Sequence, residues 1–482
     1  MATPIPQNVA PFSRSEVEAA ASARCAGAWD AVRGVVTDSR ESVEGKLFVA
    51  LSGESFDGHR FVDDVLARGA ACAVVERELI PSRDRPTATV ASALDALGQL
   101  AAHHRQRWGR LLVAVGGSAG KTTTRNAISS VLREIRGERV HYSDGNLNNR
   151  VGVPMVLLGL TDGHDICVAE LGTNQTGEVE TLRRMTTPDI AVMTLVAIEH
   201  SEGLGGIDAI EDEEGALFQG LSPDAIAIGN VDDSRVARLL RDCGARQVGY
   251  GSAEDADYRL VSRTPIGTTG SSLLIERPCQ PSELQGEREM VRVDSPLIGY
   301  PGSLAVTAAL AVADQLDGSP IRGEILARAL ADGFRPEPGR LFPCELADGT
   351  LVLDDSYNAN PASVRSSMEC AREIAEARGA RLVLVLGEMR ELGEWAAPEH
   401  RDIGSSLPAF SPGWVLAIGG QAVGYLSSLG DIPNHFVEDA AGAASWVVNH
   451  VEAGDVVLVK ASRGVRAERV VDALVKARGS LA

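Results

Sequence analysis

The sequence predicts an α/β protein with several domains and a parallel β-sheet at its centre. Short hydrophobic runs alternate with helical segments along most of the chain, which is the pattern of βαβ units. One such run, residues 111–115, stops abruptly at a glycine-rich turn that leads into a helical segment. The chain has 482 residues, enough for three ordinary domains that each bury a core. We therefore expect a parallel-sheet domain flanked by two smaller α/β domains.

The glycine-rich turn, GGSAGKTTT at residues 116–124, is typical of a phosphate-binding loop. Its small residues let backbone N–H groups face an anion at the N-terminus of a helix that we predict for residues 124–134. In such a loop Lys121 reaches the terminal phosphates and Thr122 offers its hydroxyl to magnesium. A tight structural turn is the alternative, but the lysine and threonines favour a nucleotide site. The predicted nucleotide-binding residues are Gly117, Ser118, Ala119, Gly120, Lys121, Thr122 and Thr123.

Composition argues against several classes of function. The net charge of -20 disfavours non-specific binding to nucleic acid or to a membrane surface, so anionic substrates need local cations. The seven cysteines are dispersed without a CxxC pair, as expected of reduced thiols in the cytoplasm. We expect neither a signal peptide nor a membrane span, because a basic N-terminal segment and an apolar run of about 20 residues are both missing from the sequence.

Residues 1–108 are predicted to form a small α/β domain. It has a short helix at 15–26, strands at 34–37 and 47–51, and a helix at 90–107 that leads into the next domain. Polar residues follow the first strand and precede an amphipathic helix, namely Thr37, Ser39, Arg40, Asp57 and His59. They are either ligand contacts at a strand end or an ordinary surface turn and helix cap.

Residues 109–332 are predicted to form the central domain, with further strands at 166–171, 189–196 and 225–228. Glu170 stands at the carboxyl end of its strand, where ligands gather in open α/β sheets. A carboxylate there is a natural magnesium ligand beside a nucleotide, although a strand-end glutamate can also simply face water. Residues 252–295 are predicted as irregular β structure, followed by a helix that begins near Ser303.

Residues 333–482 are predicted to form a smaller doubly wound sheet with strands at 351–355, 382–386, 414–418 and 456–460. Polar segments follow these strands: DDSYNANP at 354–361, LGEMRELG at 386–393 and VKASRGVRAERVV at 459–471. Lys460 considered alone could equally be a surface lysine at the end of a strand.

Taken together, these segments resemble the Mur ligase family in order and over essentially the whole chain. The short loop, with only Ser118 and Ala119 between Gly117 and Gly120, is the form that Mur ligases and folylpolyglutamate synthetases use. TDSR, GKLFVAL and GESFDGH resemble the Mur ligase domain that holds the uridine nucleotide of the substrate. GNLNNRVGVP and DDSYNANP are typical of the MurF-type branch.

The resemblance implies the three-domain Mur ligase architecture, with a central P-loop domain and a Rossmann-like C-terminal domain. It also implies an ATP-dependent, ADP-forming amide ligase of peptidoglycan precursor synthesis. Such an enzyme adds D-alanyl-D-alanine to UDP-N-acetylmuramoyl-tripeptide through an acyl phosphate, with ATP and Mg²⁺. We expect a cytoplasmic monomer with small-molecule substrates.

The resemblance also implies roles for individual residues. Metal binding falls to Thr122, Glu170 and His200, and catalysis to Lys121, Glu214 and His200. ATP binding adds to the loop Asn149, Arg340 and Asp355. Substrate binding falls to Thr37, Ser39, Arg40, Asp57, His59, Asn146, Asn148, Tyr357, Asn358, Asn360, Lys460 and Arg463.

Three positions depart from the family pattern. Ala119 stands where the family usually has Asn. The family's adenine-contacting P-G-x-H-N-x-x-N segment reads PGSLAVTA at 301–308, so Leu304, Ala305 and Ala308 replace its polar side chains. Glu214 replaces a lysine that relatives carbamylate, and we expect it to supply that negative charge permanently. Alternatively, the acidic residues 211–214 are only the first turns of a solvated helix.

Two further functions stay open at this point. One is a divergent MurF-like paralogue that joins another amine to a nucleotide-linked carboxylate. The other is a non-catalytic UDP-sugar-binding protein, which would have no need to retain Lys121 and Thr122. The amine and the third residue of the acceptor peptide also stay open.

Overall fold

The chain forms four β-sheets with helices packed against them. The computed structural model describes residues 6–53, 56–76, 85–268, 270–279, 287–316, 320–334 and 336–480. Within them lie a two-stranded, a five-stranded, a nine-stranded and a six-stranded sheet.

The N-terminal part contains the two smaller sheets. Its elements are β1 (Pro11–Ser13), α1 (Arg14–Ala21), β2 (Arg24–Ala26), β3 (Ala31–Arg33), β4 (Val35–Val36), β5 (Leu47–Val49), α2 (Val62–Ala67), β6 (Cys72–Val75), β7 (Thr87–Thr89) and α3 (Ala93–Trp108). The helix predicted at 15–26 is shorter in the structure, because Ser22 takes a left-handed conformation and ends it. Residues 24–26 instead form β2, which pairs with β7.

The central part is a nine-stranded sheet. Its elements are β8 (Leu111–Gly116), α4 (Lys121–Arg136), β9 (Val140–Tyr142), α5 (Gly152–Leu158), β10 (Ile166–Glu170), α6 (Glu178–Thr186), β11 (Ile190–Met193), α7 (Ser201–Leu204), α8 (Ile207–Gly215), β12 (Ile226–Asn230), α9 (Ser234–Arg241), β13 (Arg246–Gly251), β14 (Tyr258–Ile266), β15 (Gly270–Pro278), β16 (Arg288–Ser295), α10 (Gly299–Ala313) and α11 (Gly323–Arg328). The strand order is β16-β15-β14-β13-β12-β11-β8-β10-β9, so β8 lies between parallel neighbours.

Two central elements differ from the sequence prediction. The described residues of 252–295 are not irregular: β14, β15 and β16 form an antiparallel meander with one register shift, between Leu260 and Ser262. The polar residues 280–286 within that prediction lie outside the described residues. The helix expected to begin near Ser303 begins at Gly299, whose φ of 70° suits glycine.

The C-terminal part is a six-stranded sheet. Its elements are β17 (Phe342–Glu345), β18 (Leu351–Asp355), α12 (Pro361–Arg378), β19 (Leu382–Gly387), α13 (Ala396–Ser406), β20 (Trp414–Ile418), β21 (Asn434–Val437), α14 (Ala440–His450), β22 (Val456–Lys460) and α15 (Glu468–Arg478). The strand order is β17-β18-β22-β19-β20-β21. All four predicted strands are present, and the two strands missed by the prediction, β17 and β21, are the partly exposed edges.

Hydrophobic side chains cover both faces of the central and C-terminal sheets, which confirms the predicted α/β class and doubly wound layers. Helix α3 ties the N-terminal part to the central sheet. His104 on this helix lies 2.9 Å from the Leu160 carbonyl oxygen, and Arg105 donates to the Thr186 carbonyl at 3.0 Å. The domain boundaries at 108 and 332 stay predictions. No helix among the described residues is both long and apolar enough to cross a membrane.

Candidate active site

A cleft of about 600 Å³ separates the carboxyl end of β8 from the C-terminal sheet. One wall is the glycine-rich loop with the start of α4, and the opposite wall is the segment that follows β18. Loop residues 118–123 all line the cleft, and helix α4 begins at Lys121 rather than at residue 124. The positive end of the α4 dipole therefore faces the cleft, as an anion site requires.

Hydrogen bonds to neighbouring side chains fix the conformation of the glycine-rich loop. Gly117 has a φ of 114°, and a Cβ there would lie 2.3 Å from Thr194 Oγ1. Its N–H donates to Glu214 Oε2 at 3.0 Å, and its carbonyl accepts from Lys121 Nζ at 2.5 Å. Thr194 Oγ1 also donates to the Ala119 carbonyl at 2.7 Å. The loop conformation is thus fixed by contacts that a side chain at position 117 would remove.

Two of the predicted metal residues touch one another. Thr122 Oγ1 donates to Glu170 Oε1 at 3.2 Å, and Asn148 Nδ2 donates to the same oxygen at 2.9 Å. The second carboxylate oxygen, Oε2, is buried without a hydrogen bond and lies 3.7 Å from Arg125 Nε. Glu170 therefore presents a hard oxygen beside the phosphate loop.

The third predicted metal residue, His200, also lines the cleft. Its Nδ1 lies 2.5 Å from Glu391 Oε2, and its Nε2 lies 3.9 Å from Glu199 Oε2. The described residues contain no ready-made cluster of three or more His, Cys, Asp or Glu side chains. A magnesium ion here would have to complete its shell with phosphate oxygens and water, which is how magnesium commonly binds.

Buried carboxylates surround the loop lysine. Lys121 Nζ lies 3.6 Å from Glu199 Oε1, and both side chains are largely buried. Burial alone lowers the pKa of Lys121, but the carboxylates of Glu199, Glu214 and Glu170 outweigh it, so the pKa of Lys121 is raised. Burial raises the pKa of Glu199 despite the nearby ammonium. This corner of the cleft carries more negative than positive groups, which suits a divalent cation.

Glu214 lies behind the loop and not among the described residues that line the cleft. It is fully buried, and burial raises its pKa to about 7. The acidic residues 211–214 occupy the last turns of α8, not the first, so the helix-start alternative is wrong. Glu211 pairs instead with Arg235 and Arg238. Glu213 accepts hydrogen bonds at the start of α6, including one from Val179 N–H at 2.8 Å.

The C-terminal wall contributes three cations. The Arg340 guanidinium lies 4.1 Å from the centre of the Tyr357 ring, and that of Arg463 lies 5.5 Å from it. Lys460 Nζ donates to Asp355 Oδ2 at 2.5 Å. Because Lys460 is only 3% exposed, the surface-lysine alternative is wrong. All five of these residues line the cleft, and their assignments to ATP and substrate stay predictions.

The asparagines predicted to bind ligands differ in what they do. Asn146, Asn148 and Asn149 line the cleft, but Asn149 Oδ1 also accepts the Gly152 N–H at 2.9 Å at the start of α5. Asn358 and Asn360 line the opposite wall, and Asn360 Nδ2 reaches the Ser118 carbonyl at 3.2 Å. Their assignments to ATP or substrate stay predictions.

The predicted N-terminal residues lie apart from this cleft. Of the described lining residues, none is Thr37, Ser39, Arg40, Asp57 or His59. Arg40 is exposed and pairs with Asp38, and the Ser39 carbonyl accepts from Arg68. His59 is buried, with Nδ1 2.7 Å from Asp57 Oδ1 and Nε2 accepting the Glu76 N–H at 3.0 Å. These contacts fix the imidazole within the fold, and the uridine-nucleotide assignment stays a prediction.

The departures at Ala305 and Ala308 fall on a buried face of α10. The cleft wall near this helix is built from Pro296, Leu297, Ile298, Pro301 and Gly302. These five residues offer backbone groups and apolar side chains to the cleft.

Sequence reasoning missed four buried or paired residues. Glu199 contacts Lys121 and directly precedes the predicted residue His200. Glu391 contacts His200 and lies in the segment 386–393, from which no individual residue was predicted. Arg125 and Glu337 form an ion pair of 2.9 Å between α4 and the segment before β17. Arginine and glutamate are too common for their types alone to indicate such a contact.

Comparison with known proteins agrees with this geometry. The Mur ligase family catalytic domain matches residues 31–105, the Mur ligase middle domain 115–313, and the Mur ligase glutamate ligase domain 339–463. The UDP-N-acetylmuramoyl-tripeptide–D-alanyl-D-alanine ligase of Escherichia coli K12 is 34% identical over 443 residues, 91% of this chain and 93% of the relative.

Solved structures give the same result. MurF from Acinetobacter baumannii is 28% identical, with a TM-score of 0.86 over 97% of this chain and 100% of that one. A MurF ligase from Thermotoga maritima in complex with ADP is 28% identical, with a TM-score of 0.78 over 92% and 97%. Three matched domains in family order, and a relative this similar over nearly its whole length, establish that the chain belongs to the Mur ligase family.

Proposed function

We propose that this chain is the ATP-dependent, ADP-forming ligase that adds D-alanyl-D-alanine to UDP-N-acetylmuramoyl-tripeptide in peptidoglycan precursor synthesis. One observation carries the proposal. The phosphate loop with Lys121 and the C-terminal segment with Tyr357 and Asn360 face each other across one cleft. The printed names of the similar proteins, and the ADP named with one of them, support the same reaction.

The reaction needs a carboxylate to become an electrophile. A carboxylate oxygen of the tripeptide attacks the γ-phosphorus of ATP, the bond to the β-phosphate oxygen breaks, and ADP leaves. The amine of D-alanyl-D-alanine then attacks the acyl carbon, the C–O bond breaks, phosphate leaves, and the amine proton passes to solvent. Positioning and neutralisation of charge supply most of the rate of such transfers.

The residues of the cleft fit these tasks. Lys121 lies at the start of α4, where its ammonium can stabilise charge on the transferring phosphoryl group. Arg340 and Arg463 flank Tyr357 on the opposite wall and can hold anionic oxygens there. The approach of the two walls also limits the access of water to the acyl phosphate.

The oxygen atoms of Thr122 and Glu170 in the cleft are of the kind that binds magnesium. Glu170 Oε2 is buried without a hydrogen bond, and the Thr122 hydroxyl is bonded to the other oxygen of the same carboxylate. Thr122 and Glu170 would hold the ion, and His200, which also lines the cleft, would be the third ligand residue. Bound there, magnesium would neutralise charge on the phosphate oxygens.

The remaining assignments are part of the same proposal. Thr37, Ser39, Arg40, Asp57 and His59 would hold the uridine nucleotide, as the resemblance implies. We further propose a monomer that works in the cytoplasm.

The test measures ADP release and product mass together. Purified protein is incubated with Mg²⁺-ATP, UDP-N-acetylmuramoyl-tripeptide and a panel of dipeptides and amino acids. The proposal expects ADP and a UDP-linked pentapeptide with D-alanyl-D-alanine only. Ligation of a different amine would show the divergent paralogue instead. Tight binding of the UDP-tripeptide without any ADP release would show a binding protein.

A further inference from the structure

A loop of the C-terminal sheet reaches across the cleft and contacts the central domain beside His200. The loop follows β19, and it makes three contacts with α7 and with His200, the residue before that helix. Glu391 Oε2 lies 2.5 Å from His200 Nδ1. The Glu391 carbonyl accepts the Glu202 N–H at 3.1 Å, and the Leu392 carbonyl accepts the Ser201 hydroxyl at 3.0 Å. The two domains are therefore joined at this imidazole by backbone and side-chain bonds together.

Both partners of the imidazole contact have unusual backbones. His200 has a φ of 45° and Glu391 a φ of 64°, the left-handed region that residues other than glycine rarely adopt. Such conformations are strained and persist where the surrounding contacts hold them in place. Here two of them meet in one contact between domains, and the buried side chain of Leu392 anchors the loop behind it.

The contact decides which nitrogen of His200 faces the cleft. A carboxylate at Nδ1 stabilises the proton on that nitrogen, which in the neutral imidazole leaves the lone pair on Nε2. Nε2 points toward Glu199, 3.9 Å away, whose other oxygen lies 3.6 Å from Lys121 Nζ. The free nitrogen is thereby turned to the corner where the phosphates of a nucleotide would lie.

We propose that Glu391 is a positioning residue that holds His200 in the Nδ1-protonated form with Nε2 presented to the cleft. Because Glu391 belongs to the C-terminal domain, His200 is oriented only when the two domains are together. The ligand-binding geometry at Nε2 is thus completed by domain closure. This inference rests on the proposed function for its kinetic consequence, but not for the tautomer it assigns.

A simple ion pair between domains would behave differently. Glu391 keeps 62% of its side chain exposed, so solvent screens its charge and the pair contributes little to stability. An ion pair alone would change thermal stability slightly and leave the imidazole tautomer as it was. If Glu391 positions His200, removal of its carboxylate should instead change the tautomer of His200 and the Mg²⁺ dependence of ligation.

The experiment compares Glu391→Ala and Glu391→Gln with Glu394→Ala, an exposed glutamate three residues further along the same loop. Proteins with ¹⁵N-labelled imidazoles are studied by NMR with Mg²⁺ and β,γ-methylene-ATP, which favours closure without turnover. Only nine histidines contribute signals, and His200→Gln identifies the relevant one. We expect Nδ1-protonated His200 in the wild type and the Glu394 variant, and a tautomer mixture in Glu391→Ala.

Steady-state kinetics then measure how the loss of Glu391 changes the Mg²⁺ dependence of ligation. Removing the partner of a ligand histidine typically costs 10–100-fold in metal affinity or activity, so the Mg²⁺ concentration for half-maximal ligation should rise about tenfold in Glu391→Ala. Glu391→Gln, which can still accept from Nδ1–H, should recover most of the loss. An unchanged tautomer in Glu391→Ala overturns the inference. Absence of ligation in the wild type would reject the proposed function while the NMR comparison still decides the role of Glu391.

Discussion

Asn360 of the C-terminal sheet donates from Nδ2 to the carbonyl oxygen of Ser118 in the phosphate loop, 3.2 Å away. Its Oδ1 accepts the Ser363 N–H at 2.9 Å and so caps α12. One side chain therefore both begins a helix of one domain and fixes that helix against the nucleotide loop of the other. Closure of the cleft and the shape of the loop are coupled at this residue.

Asn360→Asp separates these two tasks. Aspartate still caps α12, but it has no donor for Ser118 and places a carboxylate near Glu199, which lies 3.5 Å from Asn360 Nδ2. A lost hydrogen bond with an unfavourable charge costs about 1.5–3 kcal/mol, so kcat/KM for ligation should fall roughly tenfold to a hundredfold.

Asp439→Asn is the matched control for this variant. Asp439 caps α14 by accepting the Gly442 N–H at 2.8 Å, and it is not one of the described residues that line the cleft. The same exchange of amide and carboxylate there should leave kcat/KM unchanged. Wild-type kinetics in Asn360→Asp would mean that the contact with Ser118 plays no part in the reaction.

Lys121→Ala should abolish ligation in a protein that still folds. The ammonium contacts the Gly117 carbonyl and lies among buried carboxylates. Its loss would remove the cation that we propose faces the transferring phosphoryl group. Circular dichroism checks the fold, and ADP release measures turnover. Lys476→Ala, an exposed lysine of α15, is the control. Turnover within about threefold of wild type, a barrier change under ~1 kcal/mol, would reject the role of Lys121.

The sequence predicted the strands that end at the cleft because their signals are local. A buried parallel strand is a continuous apolar run, and Leu351–Asp355 and Val456–Lys460 match their predicted bounds. The edge strands β17 and β21 lack that signal, since their residues are only partly buried. Residues 252–295 read as irregular because turns interrupt a meander whose register is set by partners in the sheet.

Most of the residues predicted in the central and C-terminal parts line the cleft, because they follow strands whose carboxyl ends face it. The five predicted N-terminal residues and Glu214 are not among the described residues that line it. What the sequence did not reveal are pairs that form across domains. Glu391 and His200 are far apart in the chain, and nothing in either segment indicates that they meet. The position of the acidic run at the end of α8 was also missed, because helix starts are weakly encoded.

Discrimination between ATP and GTP should be weak. Ala305 and Ala308 are buried in α10, and the cleft wall beside that helix, at Pro296, Leu297, Ile298 and Pro301, has apolar side chains. A site that hydrogen-bonds a polar group can reject the wrong partner by roughly 10⁴-fold, whereas an apolar slot cannot. Competition kinetics with both nucleotides should therefore give a preference well below that factor. A preference of about 10⁴-fold would mean that backbone groups or other side chains recognise the purine.

The charge of Glu214 should make stability depend on pH. Burial raises its pKa to about 7, so the folded protein holds this proton more tightly than the unfolded chain does. As the pH rises above the pKa of Glu214 in the unfolded chain, ionisation of Glu214 therefore lowers the free energy of unfolding. The full loss is present above about pH 7. The melting temperature of Glu214→Gln relative to wild type should be higher at about pH 8 than at about pH 5, measured without nucleotide or metal.

Glu211→Gln is the control for the melting-temperature measurement, because its effect on stability should not depend on pH in the same range. Burial raises the pKa of Glu211, but Arg238 and Arg235 outweigh burial, so its pKa is lowered. Its pairing contributes stability above the unfolded pKa, which is lost only as pH falls through the lower folded value. Glu211→Gln should therefore be less stable than wild type by a constant amount between about pH 5 and pH 8. A Glu214→Gln difference that is equally constant would contradict the raised pKa.

Once ionised, Glu214 should also supply the negative charge that, as the family resemblance implies, a carbamylated lysine supplies at this position. Its carboxylate is buried behind the loop, accepts the Gly117 N–H at 3.0 Å and acts on Lys121 through its charge. Two effects are thus combined, a hydrogen bond that shapes the loop and a negative charge beside the lysine. Glu214→Gln keeps an acceptor for Gly117 and removes the charge, whereas Glu214→Ala removes both.

Ligation measured with and without bicarbonate distinguishes these effects. Wild-type activity should ignore bicarbonate depletion, because a glutamate needs no carbon dioxide to be charged. Glu214→Ala should lose most activity, and Glu211→Ala should not, since Glu211 pairs with Arg235 and Arg238 away from the loop. Glu214→Lys should regain some activity only when bicarbonate is added, because a carbamate then restores the charge. If Glu214→Gln is as active as wild type while Glu214→Ala is not, the hydrogen bond to Gly117 is the whole contribution and the charge is dispensable.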